Sequence, residues 1–148
     1  MRFGSGQRTR KRPCSRKYKK LTTEIFPDLK IGYVHGRMRG KEKTTVMEQF
    51  KSGQLDILVA TSVVEVGVDV PNASVMMIEG AEHFGLAQLH QFRGRMGRAS
   101  YQSYCLLFTA NKTKKTLERL ALFEKEPNGF KLAEYDLEAR GPGELYGT

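Results

Sequence analysis

Asp56-Ile-Leu-Val-Ala60 runs apolar without a break once past its opening acid, and Ser74-Val-Met-Met-Ile78 does the same. A strand with one wet face alternates apolar and polar residues. An unbroken apolar run instead suits a strand covered on both faces, as in parallel sheets flanked by helices. Outward from these runs, residues 41–51 carry Val46, Met47 and Phe50 on one helical stripe, with Gly53 as the stop. Residues 31–35 read as a short strand, and residues 21–26 as the end of a helix halted by Pro27. Downstream, residues 86–92 read as a helix and residues 103–109 as a strand. Residues 113–126 make a long helix whose apolar side holds Leu117, Leu120, Ala121 and Phe123. Strands separated by helix-length segments are joined by crossovers. The expected fold is therefore α/β, a mostly parallel sheet with helices on both faces.

A length of 148 residues suffices for one domain with its own core. The formal net charge of +9 suggests a nucleic-acid partner until its distribution is read. Arg2, Arg8, Arg10, Lys11, Arg12, Arg16, Lys17, Lys19 and Lys20 crowd a stretch that has no acid. Those nine, taken from the 25 Lys and Arg, leave as many basic residues as the 16 Asp and Glu, so residues 21–148 are neutral overall. Residues 1–20, with Gly4, Gly6 and Pro13, are expected to be a disordered basic tail. It is either a segment that holds DNA phosphates or one foreign to the domain.

Cys14 and Cys105 form no C-x-x-C pair, and His35, His83 and His90 form no H-E-x-x-H arrangement, so no protein-built metal site is expected. Reduced thiols point to the cytoplasm. No run approaches the ~18–20 apolar residues that span a bilayer, and no apolar segment follows the basic start, so neither a membrane partner nor a secretory leader is expected.

The most specific stretch is Gln88-Leu-His-Gln-Phe-Arg-Gly-Arg-Met-Gly-Arg98. Arg93, Arg95 and Arg98 stand among two glycines at the end of an expected helix. Glycine lets another surface approach closely, and arginine offers a planar fork of donors for phosphate oxygens. Arg95 and Arg98 are three apart, so in a helical turn they would point the same way. The residues alone leave two alternatives open: a solvated basic turn, or one that grips nucleic-acid phosphate.

Gln91-Phe-Arg-Gly-Arg-Met-Gly-Arg98 resembles motif VI of the superfamily-two helicases, whose general form is Q/H-x-x-G-R-x-G-R. Val59-Ala-Thr-Ser-Val-Val-Glu-Val-Gly-Val-Asp-Val-Pro-Asn-Ala73 resembles motif V. Tyr33-Val-His-Gly-Arg-Met38, followed by Val46-Met-Glu-Gln-Phe50, is similar to the segment before it. Val66, Val68, Val70 and His90 fall on the side of the RecG family rather than of the transcription-repair coupling translocases. Asp136-Leu-Glu-Ala-Arg-Gly-Pro-Gly-Glu-Leu-Tyr-Gly-Thr148 resembles the start of the translocation motif those two families share. The resemblance runs from about Leu21 to Thr148.

What the resemblance implies is a RecA-like helicase C-terminal domain over residues 21–110, then a helical extension over 111–148. The implied activity is ATP-driven remodelling of branched or forked DNA in repair and recombination. Arg95 and Arg98 would be catalytic arginine fingers reaching the ATP γ-phosphate. Gly67, Asp69 and Gln91 would bind or sense the nucleotide. Thr61, Arg37 and His35 would contact DNA, a hydroxyl and N–H groups at a strand end suiting a phosphate. For Thr61 and Asp69 an ordinary strand-end cap or turn is the alternative, and for His35 and Arg37 a plain surface role.

No phosphate loop of the form G-x-x-x-x-G-K-[ST] and no D-E-x-H or D-E-x-D acidic motif occurs. The resemblance therefore implies a piece of a longer monomeric protein, cut at its C-terminal side and altered at its N-terminal side. A first helicase lobe would hold most of the ATP and Mg²⁺, and a wedge domain would bind DNA. Alone, the chain is expected to hydrolyse nothing. Phe92 stands where leucine is usual and Met96 where valine is usual, apolar changes that packing is expected to absorb. The readings that compete are a lobe of a transcription-repair coupling translocase and a nucleic-acid-binding module without motor activity.

Overall fold

Two pairs of parallel strands carry the fold in the computed structural model, which describes residues 13–61, 69–96 and 102–140. They lie in separate compact units, Met1–Gly67 and Val68–Thr148.

In the first unit β1 (Ile31–Val34) pairs with β2 (Ile57–Ala60) in register from Ile31↔Ile57 to Val34↔Ala60. The crossover between them is α2 (Gly40–Lys51), which turns Met47 inward. The Glu42 carboxylate accepts from the Arg39 N–H at 3.0 Å, satisfying a donor the helix start would otherwise leave open. At the other end Gly53 takes φ +78°, a left-handed conformation that suits glycine, and donates to the Phe50 carbonyl at 3.1 Å. The expected stop is where the chain turns.

The basic stretch departs from expectation. Pro13–Lys20 is a helix, α1, continued by a π-helical turn at Leu21–Ile25. Tyr18 stacks on Tyr33 of β1, with ring centroids 5.2 Å apart and planes at 17°, and its hydroxyl donates to the Ile31 carbonyl at 3.4 Å. Composition registers the charge on this segment. It misses that side chains of a short polar helix can pack on a sheet and help hold it in place. Residues 1–12 lie outside the described part of the chain.

In the second unit β3 (Val75–Glu79) pairs with β4 (Tyr104–Phe108) in register from Val75↔Tyr104 to Glu79↔Phe108. Between them come a 3₁₀ turn (Ala81–His83) and α3 (Leu86–Arg93). After β4 follow α4 (Lys114–Lys125), capped by the Thr113 hydroxyl, and α5 (Gly129–Arg140). Ile78, Ala81, Leu86, Leu89, Leu120, Phe123 and Leu132 form the core, with Met76, Cys105 and Leu107 packed against it.

Burial of the apolar runs on both faces is not what the structure shows. Val75, Met77 and Tyr104 are 53%, 63% and 56% exposed, while Met76 and Ile78 face the core. β2 is likewise only partly buried, and Ala60 is exposed. Leu117 and Ala121 of α4 are exposed too, with Leu120 and Phe123 alone buried on that helix. An apolar side chain records that burial is favourable, not which neighbour supplies it.

Candidate functional site

The two parallel strands of the first unit end together. Thr61, just past β2, donates its N–H to the Val34 carbonyl of β1 at 3.2 Å, which sets Thr61 and His35 side by side at the carboxyl end of the sheet. In parallel sheets this end gathers ligand-binding groups, because loops open there. The Thr61 N–H is therefore already engaged, which leaves the hydroxyl rather than this N–H for a phosphate. Its hydroxyl oxygen, by contrast, is buried and has no hydrogen-bond partner among the described residues. Such an oxygen costs on the order of 1–3 kcal/mol until a partner arrives.

His35 opens a tight turn. Its carbonyl accepts from the Met38 N–H at 3.1 Å, and its Nδ1 accepts from the Arg37 N–H at 3.3 Å. Its ring leans on Tyr33 at 5.2 Å, continuing the Tyr18–Tyr33 stack. Arg37 is exposed at the tip. The structure thus brings His35, Arg37 and Thr61 to one end of one sheet.

In the second unit Val70 and Met96 form an isolated parallel bridge, and the Val70 N–H donates to the Arg95 carbonyl at 2.8 Å. This bond joins the motif V segment, through Asp69 and Val70, to the motif VI segment. Arg95 lies in a turn just beyond α3, half-buried, and among the described residues its guanidinium makes no hydrogen bond or ion pair. Gln91 is exposed on α3, and Asp69 is half-buried. Gly67 and Arg98 lie outside the described residues, as do Ser62 and the remainder of 62–68.

Arg93, read from sequence as one of three similar arginines, has a different task. Its Nη1 donates to the Phe123 carbonyl at 3.2 Å and its Nη2 to the Glu126 carbonyl at 3.3 Å, while Nη2 also meets His90 Nδ1 at 3.0 Å. It closes the carboxyl end of α4, where carbonyls lack partners and a cation is favoured. His90 sits tightly under α5: a Cβ on Gly129 would stand 2.6 Å from its ring, so any larger residue there would have to displace the imidazole.

Sequence reasoning missed Asp136 and Arg119. Asp136 accepts from the Leu86 and Ala87 N–H groups, both at 3.0 Å, and lies 3.8 Å from the Arg119 guanidinium. A signal was available: α3 opens at Gly85, a residue with no side chain to cap it. Among the described residues, no cluster of three or more His, Cys, Asp or Glu could hold a metal ion, and no helix is long and apolar enough to cross a membrane.

Comparison with known proteins places this geometry. The helicase conserved C-terminal domain family matches residues 7–100, starting inside the stretch expected to be a tail. The chain is 54% identical over 131 residues to the ATP-dependent DNA helicase RecG of Synechocystis sp., covering 88% of this chain and 16% of that protein. It is 55% identical over 124 residues to RecG of Escherichia coli K12, covering 83% and 18%. The chain thus spans a small part of the length of these relatives. The solved structure of RecG bound to a three-way DNA junction superposes with a TM-score of 0.76 at 50% identity, over 90% of this chain and 18% of that one. The C-terminal domain of the DEAD-box protein Dbp5, 22% identical with a TM-score of 0.60 over 75% and 62%, shares the fold alone. The expected RecA-like helicase C-terminal fold is what these superpositions show.

Proposed function

Because the chain belongs to the helicase conserved C-terminal domain family, we propose that it is the second motor lobe of an ATP-dependent DNA helicase that remodels branched or forked DNA in repair and recombination. Residues 21–110 are the lobe and residues 111–148 the helical segment that opens the translocation motif. The other parts of the working protein are a first lobe and a DNA-binding wedge domain, and it acts in the cytoplasm as a monomer.

The observation that carries this reading is the state of Arg95. Its backbone is pinned by Val70 at 2.8 Å, while its guanidinium has no hydrogen-bond or ion-pair partner among the described residues. A guanidinium held in place beside no counter-charge can receive an anion through its planar fork of donors. A triphosphate in the cleft between lobes supplies such an anion and, when bound, the phosphoryl group whose transfer drives the motor. Arg95, with Arg98, would neutralise charge that builds on the equatorial oxygens, with no reorganisation at the moment of reaction. Gln91, Gly67 and Asp69 report the nucleotide's state to the rest of the lobe. Mg²⁺ would be held mainly by the first lobe.

On the DNA side, the buried Thr61 hydroxyl would find its missing partner in a backbone phosphate, with His35 and Arg37 beside it. Phosphate contacts of this type position a motor on DNA without reading sequence.

The test uses the complete protein that carries this lobe, assayed for ATP hydrolysis on forked duplex. Arg95→Ala and Arg98→Ala should each keep nucleotide binding within a few-fold and cut turnover by about 10³ to 10⁵, with lysine rescuing neither. The isolated 148-residue chain should show no turnover. Near-normal DNA-stimulated hydrolysis in both alanine variants sinks the finger assignment and favours a binding module without motor activity.

A further inference from the structure

α3 begins at Gly85 and receives its cap from α5. Asp136 Oδ1 accepts from the Leu86 N–H and Oδ2 from the Ala87 N–H, each at 3.0 Å. These are the first amides of the helix, whose donors lack intrahelical partners and whose dipole favours a carboxylate. A Cβ on Gly85 would stand 3.0 Å from Asp136 Oδ2, so the missing side chain leaves room for the distant one.

Arg119 of α4 holds the same carboxylate from the other side. Its Nη1 lies 3.8 Å from Asp136 Oδ1, and its Nη2 donates to the carbonyls of Glu82 and Phe84 at 3.1 and 2.9 Å. The two side chains are only 24% and 16% exposed, so solvent competes weakly for these bonds. Arg93 anchors the far end of α3 on the carbonyls of α4, and Arg95 follows through Gly94. An eight-residue helix is about 12 Å long, so a tilt of about 10° at one end moves the other by about 2 Å. A misplacement of about 1 Å at a reacting centre can cost about 10²-fold in rate.

The geometry points to Asp136 as a positioning residue for Arg95: it holds the start of α3 and, through that helix, the place where the Arg95 guanidinium is presented. This rests on the reading of Arg95 as a finger. Asp136 touches no substrate in this scheme; it acts through a helix whose own sequence provides no cap.

Two measurements test it together. In the 148-residue chain, amide exchange at Leu86 and Ala87 should speed up at least about tenfold in Asp136→Ala. In the complete protein, the same substitution should lower kcat for ATP by about 10²-fold while KM for ATP stays within about twofold. Gly85 has φ −67° and ψ 154°, a backbone any residue adopts. Gly85→Asp in the Asp136→Ala background therefore moves the carboxylate to the local cap position. This double variant should regain slow exchange and recover kcat to within a few-fold, and it also carries the test if Asp136→Ala alone fails to fold. Unchanged exchange in Asp136→Ala, or faster exchange with unchanged kcat, overturns the proposal. So does a double variant that regains slow exchange without regaining kcat. A wild-type protein with no DNA-stimulated turnover at all instead sinks the finger reading, and this inference with it, whatever the exchange shows.

Discussion

The guanidinium of Arg93 lies 4.3 Å from the centroid of the Phe123 ring and donates to the carbonyl of the same residue at 3.2 Å. One side chain thus covers the last buried aromatic of α4 and satisfies that helix's terminal carbonyls. It is a structural arginine two positions from one whose guanidinium has no such partner among the described residues.

Arg93→Ala should therefore cost stability rather than chemistry. Removing the cation–π interaction and the charge-assisted bonds to Phe123 and Glu126 should lower the unfolding free energy by about 2–3 kcal/mol. Denaturant melts of the 148-residue chain measure it. Arg93→Lys should recover under half, because one ammonium cannot face the ring and two carbonyls at once. A decrease below about 0.5 kcal/mol in the alanine variant refutes the anchor.

Sequence pattern alone makes Phe92→Leu a silent change. The structure shows Phe92 meeting Phe84 edge to face, with centroids 5.4 Å apart and planes at 84°. The leucine variant should be less stable by about 1 kcal/mol, with turnover of the complete protein unchanged. A melt that matches the parent would show the ring pair contributes nothing beyond its area.

Arg16, Lys19 and Lys20 are exposed on α1, and the folded remainder from residue 21 is neutral overall. Deleting the helix would also remove Tyr18 from Tyr33, so charge neutralisation is the cleaner probe. Arg16→Gln, Lys19→Gln and Lys20→Gln together should weaken duplex binding. They should also flatten its log–log salt dependence by about 0.9 for each phosphate that is no longer neutralised. An unchanged slope would show that these three side chains neutralise no phosphate.

Burial against the core pushes the Cys105 thiol above its ordinary range, and the nearby Arg93 charge offsets this only in part. The folded state therefore favours the protonated thiol. That contribution is present below the ordinary thiol pKa and fades as pH rises through the higher folded value. Alkylation of Cys105 at pH 8 should be at least about tenfold slower in the folded chain than in denaturant, since the thiolate is the nucleophile. Equal rates would show the thiol is neither buried nor shifted.

The order of strands and helices, the crossovers, the stop at Gly53 and the identity of the arginine-rich segment were legible in the sequence, because periodicity, glycine and motif spacing are local properties of the chain. What local pattern could not resolve was partnership. Arg93 and Arg95 have the same side chain and differ only in what surrounds them: one is engaged by the end of α4, the other is held by its backbone to Val70 with its guanidinium unpaired among the described residues. The basic helix 13–20 packs on β1 through the Tyr18 ring and hydroxyl, and α3 is capped by a carboxylate 49 and 50 residues further along the chain. Hydrogen bonds and packing depend on distance in space, and only the folded chain decides which of these distant groups meet.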